Sequence, residues 1–285
     1  VIVYSLIVEN DSGEWMPFNG NRNYDLLSVT GASPPSADIN TASVVGMDGT
    51  IFNSARVNQR NIVLTVAVHE PIESNRLNLY NFFRLKRIVT LRYKTQYRDV
   101  YITGYVESIE VKAWSKSQAA QISIICTQPF WVASEDTSVV FSEVIALFEF
   151  PFSIPSAGIE FSRRQVIQSL IFNAGEIEVG GIIRFTAKAD GVKNPVFFNQ
   201  TTNKYFGVDI TMQNGDIIVI NTKYGEKSVS LIRSGTKTSI LNDRKSGSTW
   251  LTFVPGRNFV SFDADDEGAS DLDAMLTITQ LFEGV

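Results

Sequence analysis

Apolar and polar residues alternate along most of this chain. VIVYSLIVEN (1–10), RNIVLTVAVHE (60–70), RIVTLRYKT (87–95), DVYITGYVESIEVKAW (99–114) and AAQISIICTQPFW (119–131) place hydrophobic side chains at every second position. That period belongs to a strand with one buried face. One segment breaks the rhythm. IESNRLNLYNFFRL (72–85) sets Leu77, Tyr80, Leu85 and the neighbouring phenylalanines at helical spacing. Glu73 stands near its start, where the positive end of a helix dipole favours a carboxylate. The pattern predicts a helix of about three turns flanked by strands.

The texture changes near residue 130. PFWVASED closes the first block. EFPFSIPSAGIEFS comes next, with prolines and a glycine that suit a linker or arm better than packed sheet. A second series of short strands begins after roughly residue 168. Its turns are legible. Asn214-Gly215-Asp216 lies between two alternating runs, a hairpin signal, and Tyr224-Gly225, Ser234-Gly235 and Pro255-Gly256 punctuate the later strands. Short antiparallel strands at this spacing predict a β-sandwich. The expected division is a β-rich first domain with one helix over 1–139, a linker or arm over 140–160, and a second β domain over 161–285.

The 285 residues suit two such domains, and 44% apolar residues supply their cores. Net charge is −5, which argues against tight nucleic-acid binding. Cys126 is the one cysteine, so no disulfide forms within the chain. Its place in ISIICTQPFW is that of a buried small hydrophobe, and the single histidine, His69 in VAVHEP, is distant in sequence. VIVYSLIVEN lacks the basic region of a signal peptide. The longest apolar stretch, VVFSEVIALFEFPF, is interrupted by Glu143 and Glu149, so no membrane insertion is expected.

Catalytic furniture is sparse. Gly46 and Gly49 in VVGMDGT read as a turn, since no helix comes after them to cradle a phosphate. One His and one Cys cannot build the usual zinc tetrad. DADDEGASDLD gathers Asp263, Asp265, Asp266, Glu267, Asp271 and Asp273, but the spacing fails the calcium-loop pattern and suits a solvated loop between strands. No pair of carboxylates is singled out for glycoside cleavage. Neither a catalytic residue, nor a cofactor, nor a metal site is expected. Basic residues cluster once: Arg84, Lys86, Arg87, Arg92, Lys94 and Arg98 run with no acidic residue before Asp99. Residues 1–139 nevertheless hold 12 basic and 13 acidic side chains, so the first domain as a whole is not basic.

A family resemblance runs through nearly the whole chain. MDGTIFNSARVNQRNIVLTVAV, NRLNLYNFFRLKRIVTLRY, YITGYVESIEVKAW and ISIICTQPFWV occur in an order that resembles the siphovirus-type distal tail proteins of phage and prophage tail tips. GGIIRFTA, NPVFFNQTTNKYFGVDI, NGDIIVINTKYGEKSVSL and WLTFVPGRNFVSFDA resemble that family's galectin-like module. The resemblance implies a structural protein of the virion, assembled in the host cytoplasm, and not an enzyme. It implies a hexameric ring built by the first domain, joined to the tail tube protein on one side and to a tail-tip or baseplate hub protein on the other. DNA would pass through the channel without specific binding. On that footing Arg56 and Arg60, in the polar arm NSARVNQR, are candidates for subunit contacts, through the directional donor fork of arginine. Arg92, Lys94 and Arg98 are candidates for the channel or the next subunit. The residues by themselves also allow 53–60 to be an ordinary surface loop and the 92–98 cations to be a solvated strand face.

Two rival functions stay open at this point. A carbohydrate-binding module for host attachment needs an exposed aromatic platform, for which Trp131 and Trp250 are available. A glycosidase needs two facing carboxylates in a cleft.

Overall fold

The computed structural model describes residues 5–111, 118–141, 168–266 and 268–285. The chain forms two compact units, one from 1–134 with 281–285 and the other from 135–280. It is mainly β, with several sheets and, among the described residues, a single α-helix.

In chain order the first unit holds β1 (Ser5–Asn10), β2 (Trp15–Pro17), β3 (Tyr24–Thr30), β4 (Ala37–Ala42), β5 (Ile51–Val57), β6 (Arg60–Val68), α1 (Ile72–Phe82), β7 (Ile88–Lys94), β8 (Asp99–Val111), β9 (Ala119–Cys126) and β10 (Trp131–Ala133). The second holds β11 (Thr137–Phe141), β12 (Gln168–Asn173), β13 (Gly181–Ala187), β14 (Val192–Asn199), β15 (Lys204–Gly207), β16 (Thr211–Met212), β17 (Ile217–Asn221), β18 (Ser228–Arg233), β19 (Thr236–Ser239), β20 (Gly256–Asp265) and β21 (Leu272–Ile278). The chain then returns to the first unit as β22 (Leu281–Phe282), which pairs with β10.

The main sheet of the first unit runs β2-β1-β7-β8-β9-β6-β3, antiparallel throughout. The alternation seen in the sequence is what buries one face: Ile62, Leu64 and Val66 of β6, Leu91 of β7 and Ile122 and Ile124 of β9 are fully buried. The expected helix is present but ends at Phe82. Its phase differs from the expectation. Leu77 and Tyr80 face solvent, as does Leu85 beyond the helix, whereas Asn75, Leu79 and Phe82 are inside. Asn75 is tolerated there because its side-chain amide donates to the His69 carbonyl at 2.9 Å and its backbone carbonyl accepts from the Tyr24 hydroxyl at 2.9 Å. Arg84 Nε donates to the Asn81 carbonyl at 3.2 Å, as the carbonyl end of a helix favours.

The second unit contains two antiparallel sheets, β11-β21-β13-β17-β18-β19 and β12-β20-β14-β15, with β16 on β14. Phe141 and Phe185 from the first meet Phe197 and Phe262 from the second, with ring centroids 5.6–6.4 Å apart. Such aromatic pairs add to plain area burial. Asn214-Gly215 is a turn, though not a hairpin: β16 pairs with β14 and β17 with β13, so this turn carries the chain from one sheet to the other. Tyr224-Gly225 and Ser234-Gly235 do close hairpins, β17–β18 and β18–β19.

Two boundaries differ from the sequence expectation. Val140 and Phe141, expected in a linker, belong to β11, and the remainder of that linker, 142–160, lies outside the described residues. Residues 281–285, expected in the second domain, complete the first unit, because β22 finds its ladder partner in Trp131 and Val132.

Candidate assembly interface

Between β3 and β6 the chain leaves the sheet and returns as a two-stranded ribbon, β4 paired with β5. Asn53 to Val57 of the expected arm are thus a strand, and Gly46 and Gly49 lie in the connection between the two. Every residue of both ribbon strands is exposed. Several are large and apolar: Ile39 is 59% exposed, Phe52 62%, and Val45 of the connecting segment fully so. Neither face touches a core, and a lone two-stranded ribbon is marginally stable in water.

Arg56 stands on this ribbon. Its Nη2 is 3.3 Å from Asp38 Oδ2 on the opposite strand, and both side chains are largely exposed. Asn58 Nδ2 donates to Asp38 Oδ1 at 2.8 Å. That bond, with the nearby guanidinium, holds the Asp38 carboxyl below the usual carboxylate range.

Arg60 has a different environment. It is 3% exposed. Nη1 donates to the carbonyls of Gly31 and Ala32, each at 3.1 Å, and Nη2 donates to the Glu283 carbonyl. Its guanidinium carbon is 5.8 Å from the Trp131 ring. Burial pushes the guanidinium below its ordinary range. Named from the sequence as a candidate for subunit contacts, Arg60 gives these hydrogen bonds to carbonyls of its own chain.

Arg92 and Lys94 share the outward face of β7, opposite buried Val89 and Leu91. Arg92 pairs with Glu9 at 3.1 Å and lies over the rings of Trp15 (5.1 Å) and Tyr101 (5.8 Å). Lys94 pairs with Asp99 at 2.5 Å. Bonds from Lys94 and then from Ser134 hold the Asp99 carboxyl below its usual range. Each cation on this face thus has a carboxylate beside it. Arg98 lies in the turn between β7 and β8; its Nη1 donates to the Gly284 carbonyl, and its guanidinium is 4.6 Å from the Phe282 ring.

The other singled-out residues fall into structural places. Cys126 is fully buried, and burial pushes its thiol up to about 12. His69 Nε2 is 2.7 Å from Asp25 Oδ2 at the end of the β6–β3 ladder. Asp265 and Asp266 are engaged by Asn194 and Lys193 at 2.7 and 2.8 Å. No group of three or more His, Cys, Asp or Glu among the described residues is arranged to hold a metal ion. No described helix is long and apolar enough to cross a membrane. Trp131 is buried, and Trp250 packs on Phe206 at 4.8 Å beneath Lys227.

Two family models match the chain. Residues 12–126 match the phage tail protein RIFT-related domain, and residues 174–274 match the C-terminal domain of the siphovirus-type tail component. The chain belongs to the siphovirus-type distal tail protein family. Solved relatives share the fold from end to end. The crystal structure of the Dit protein of phage SPP1 aligns with a TM-score of 0.68 at 12% identity, covering 98% of this chain and 99% of that one. A chain of the phage P2 baseplate, in its activated conformation with Ca, aligns at 0.51 and 13% identity over 99% and 100%. No curated protein matches the chain in sequence. As a member of this family the distal tail protein is a structural component of a siphovirus-type phage tail.

Proposed function

We propose that this distal tail protein assembles into a closed ring of six, built by the first unit, that joins the tail tube to the tail-tip hub. The observation that carries the ring is the β4–β5 ribbon, exposed along both strands and bearing Ile39, Phe52, Val45 and Met47 in solvent. Such a ribbon calls for a second surface to cover it. A neighbouring copy supplies one in a head-to-tail ring, where each ribbon reaches the next subunit and the rotation closes. Arg56 is the ribbon's candidate contact. Its exposed fork, only loosely engaged by Asp38 at 3.3 Å, can turn to a neighbour's carboxylate or carbonyl.

The outward face carrying Arg92 and Lys94 suits a passage for DNA. Glu9 and Asp99 neutralise it pair by pair, so it neither grips nor strongly repels a phosphate backbone. The Dit protein of phage SPP1 is described as a paradigm of the hub adsorption apparatus in phages infecting Gram-positive bacteria, which supports the same hub role here. The second unit, with two antiparallel sheets meeting through Phe141, Phe185, Phe197 and Phe262, supports a galectin-like sandwich. Its Trp250 is covered by Lys227, which disfavours sugar binding at that ring.

Mass measurement by light scattering on the purified protein, alone and with tail tube protein added, tests the proposal. A sixfold mass in either sample is expected. A monomer in both overturns it.

A further inference from the structure

The two ends of the ribbon and residues 281–285 converge on one carbonyl. Ala32, at the incoming root, accepts from Arg60 Nη1 (3.1 Å), from Trp131 Nε1 (3.3 Å) and from the Val285 amide (3.2 Å). Arg60, at the outgoing root, also holds the carbonyls of Gly31 and Glu283. Arg98 holds the next carbonyl along, that of Gly284, and covers Phe282. Phe282 and Val285 pack against the first unit's core.

The geometry is tight at both approaches. Gly31 has a φ of +80°, and a Cβ there would lie 2.0 Å from the Asn61 carbonyl oxygen. Only glycine lets the incoming leg pass so close to β6. A Cβ on Gly284 would lie 2.7 Å from Pro34 Cδ and 3.0 Å from Pro34 N. The backbone of the 281–285 segment thus lies directly against the stretch 31–36 from which the ribbon departs.

We infer that residues 281–285 fasten the root of the ribbon, with Arg60 as the positioning residue that ties both ribbon legs to this segment. The chemistry favours this over ordinary packing. A buried guanidinium with no carboxylate among its hydrogen-bond partners keeps its terminal nitrogens paired only while backbone carbonyls converge on them. Here one of those carbonyls belongs to the 281–285 segment. Withdrawing the segment removes the Glu283 acceptor from Arg60 and a donor from Ala32, and leaves both groups to find water. The ribbon's own first rung, the Asn58 amide on the Ser36 carbonyl at 3.1 Å, then loses its backing.

Fastening of the root is independent of ring formation, and the two are measured separately. Amide hydrogen exchange is followed residue by residue in the full chain and in three variants. Val285→Pro removes the N–H given to Ala32. Gly284→Ala pushes the segment off Pro34 without deleting a hydrogen-bonding group. Arg60→Met removes the guanidinium. The expected result is about tenfold faster exchange at Asn58 and along β4–β5, with Leu64 and Ile122 of the β6–β9 ladder unchanged. Should Arg60→Met fail to fold, the two segment variants carry the test alone. Wild-type exchange at Asn58 and the ribbon in both segment variants overturns the inference. So does an equal rise at Leu64 and Ile122, which marks general destabilisation. A loosened root with assembly mass unchanged leaves the fastener standing and counts against the ribbon as the ring's contact.

Discussion

Arg233 grips Asp216 side-on. Its Nε is 3.0 Å from both carboxylate oxygens and its Nη2 is 2.5 Å from Oδ2, while Asp216 itself is only 2% exposed. The Gln213 amide adds a further bond to Oδ2 at 2.7 Å. The guanidinium and that amide hold the Asp216 carboxyl below its ordinary range. Because Asp216 occupies the turn between β16 and β17, the pair pins the chain where it passes from one sheet to the other.

Replacing Asp216 with Ala leaves Arg233 facing a buried gap and is expected to cost about 2–3 kcal/mol in the second unit, less than a fully buried pair because the arginine is part exposed. Asp216→Asn adds a pH test. A carboxylate with a depressed folded pKa stabilises fully above its unfolded value, about 4, and loses that contribution as pH falls through the folded value. The stability gap between wild type and Asp216→Asn, measured by thermal melts, should therefore be constant from about pH 7 to 5 and close below about pH 4. A gap independent of pH in the acid range would show that the charge contributes nothing.

Strands were legible where a sheet has one wet face and one dry one. β6 reads R-N-I-V-L-T-V-A-V and buries its alternate residues accordingly. The ribbon was not legible as strands for the converse reason. ADINTA and IFNSARV bury neither face, so no alternation marks them. The helix was legible in kind and not in phase, because Asn75 is inside and its burial depends on two hydrogen bonds that no hydrophobic count reveals. β22 spans Leu281–Phe282, too short for any pattern. Arg60 looked like part of a polar arm because charge normally marks a surface. Its burial comes from carbonyls more than twenty and two hundred residues away, which spacing along the chain cannot show. The family's ordered motifs were legible although each of them alone is weak.

Cys126 should behave as core. With its thiol pushed up to about 12 by burial, the native protein is expected to be inert to an aromatic disulfide reagent at pH ~8, where an ordinary thiol is partly ionised. Reaction should follow unfolding by denaturant. Cys126→Ala should cost about 1–2 kcal/mol and leave assembly mass intact. Rapid labelling of the folded protein would contradict the burial.

The outward pairs that join β7 to β1 and to β8 yield a charge test. Arg92→Glu places a second carboxylate beside Glu9, and Lys94→Glu does the same beside Asp99. Like charges across a strand pair destabilise by about 0.2–1 kcal/mol, so each variant should still fold. In phage, the double variant is expected to slow DNA release while particles of normal appearance still form. Restoring opposite signs with Glu9→Lys and Asp99→Lys should recover stability, since cross-strand attraction is symmetric in sign. If infectivity is wild-type in the double variant, this face is merely solvated and has no part in DNA passage.

The ribbon separates folding from assembly most sharply. Val45 is fully and Phe52 largely in solvent in the free chain, so replacing them with Asp removes nothing from the first unit's core. Their substitution should leave the melting temperature nearly unchanged and improve solubility, because exposed apolar surface contributes nothing until it is covered. If the ribbon is the contact between neighbours, Val45→Asp with Phe52→Asp should lower the association constant of each contact by at least tenfold, a loss of about 1.4 kcal/mol per contact. Arg56→Glu should act in the same direction, since it turns the ribbon's exposed fork into a charge that also repels Asp38 across the strands. Sedimentation analysis of the variants beside the wild type reads both effects. A ring that forms normally with both apolar residues changed would place the contact elsewhere on the first unit and leave the ribbon for another component of the tail.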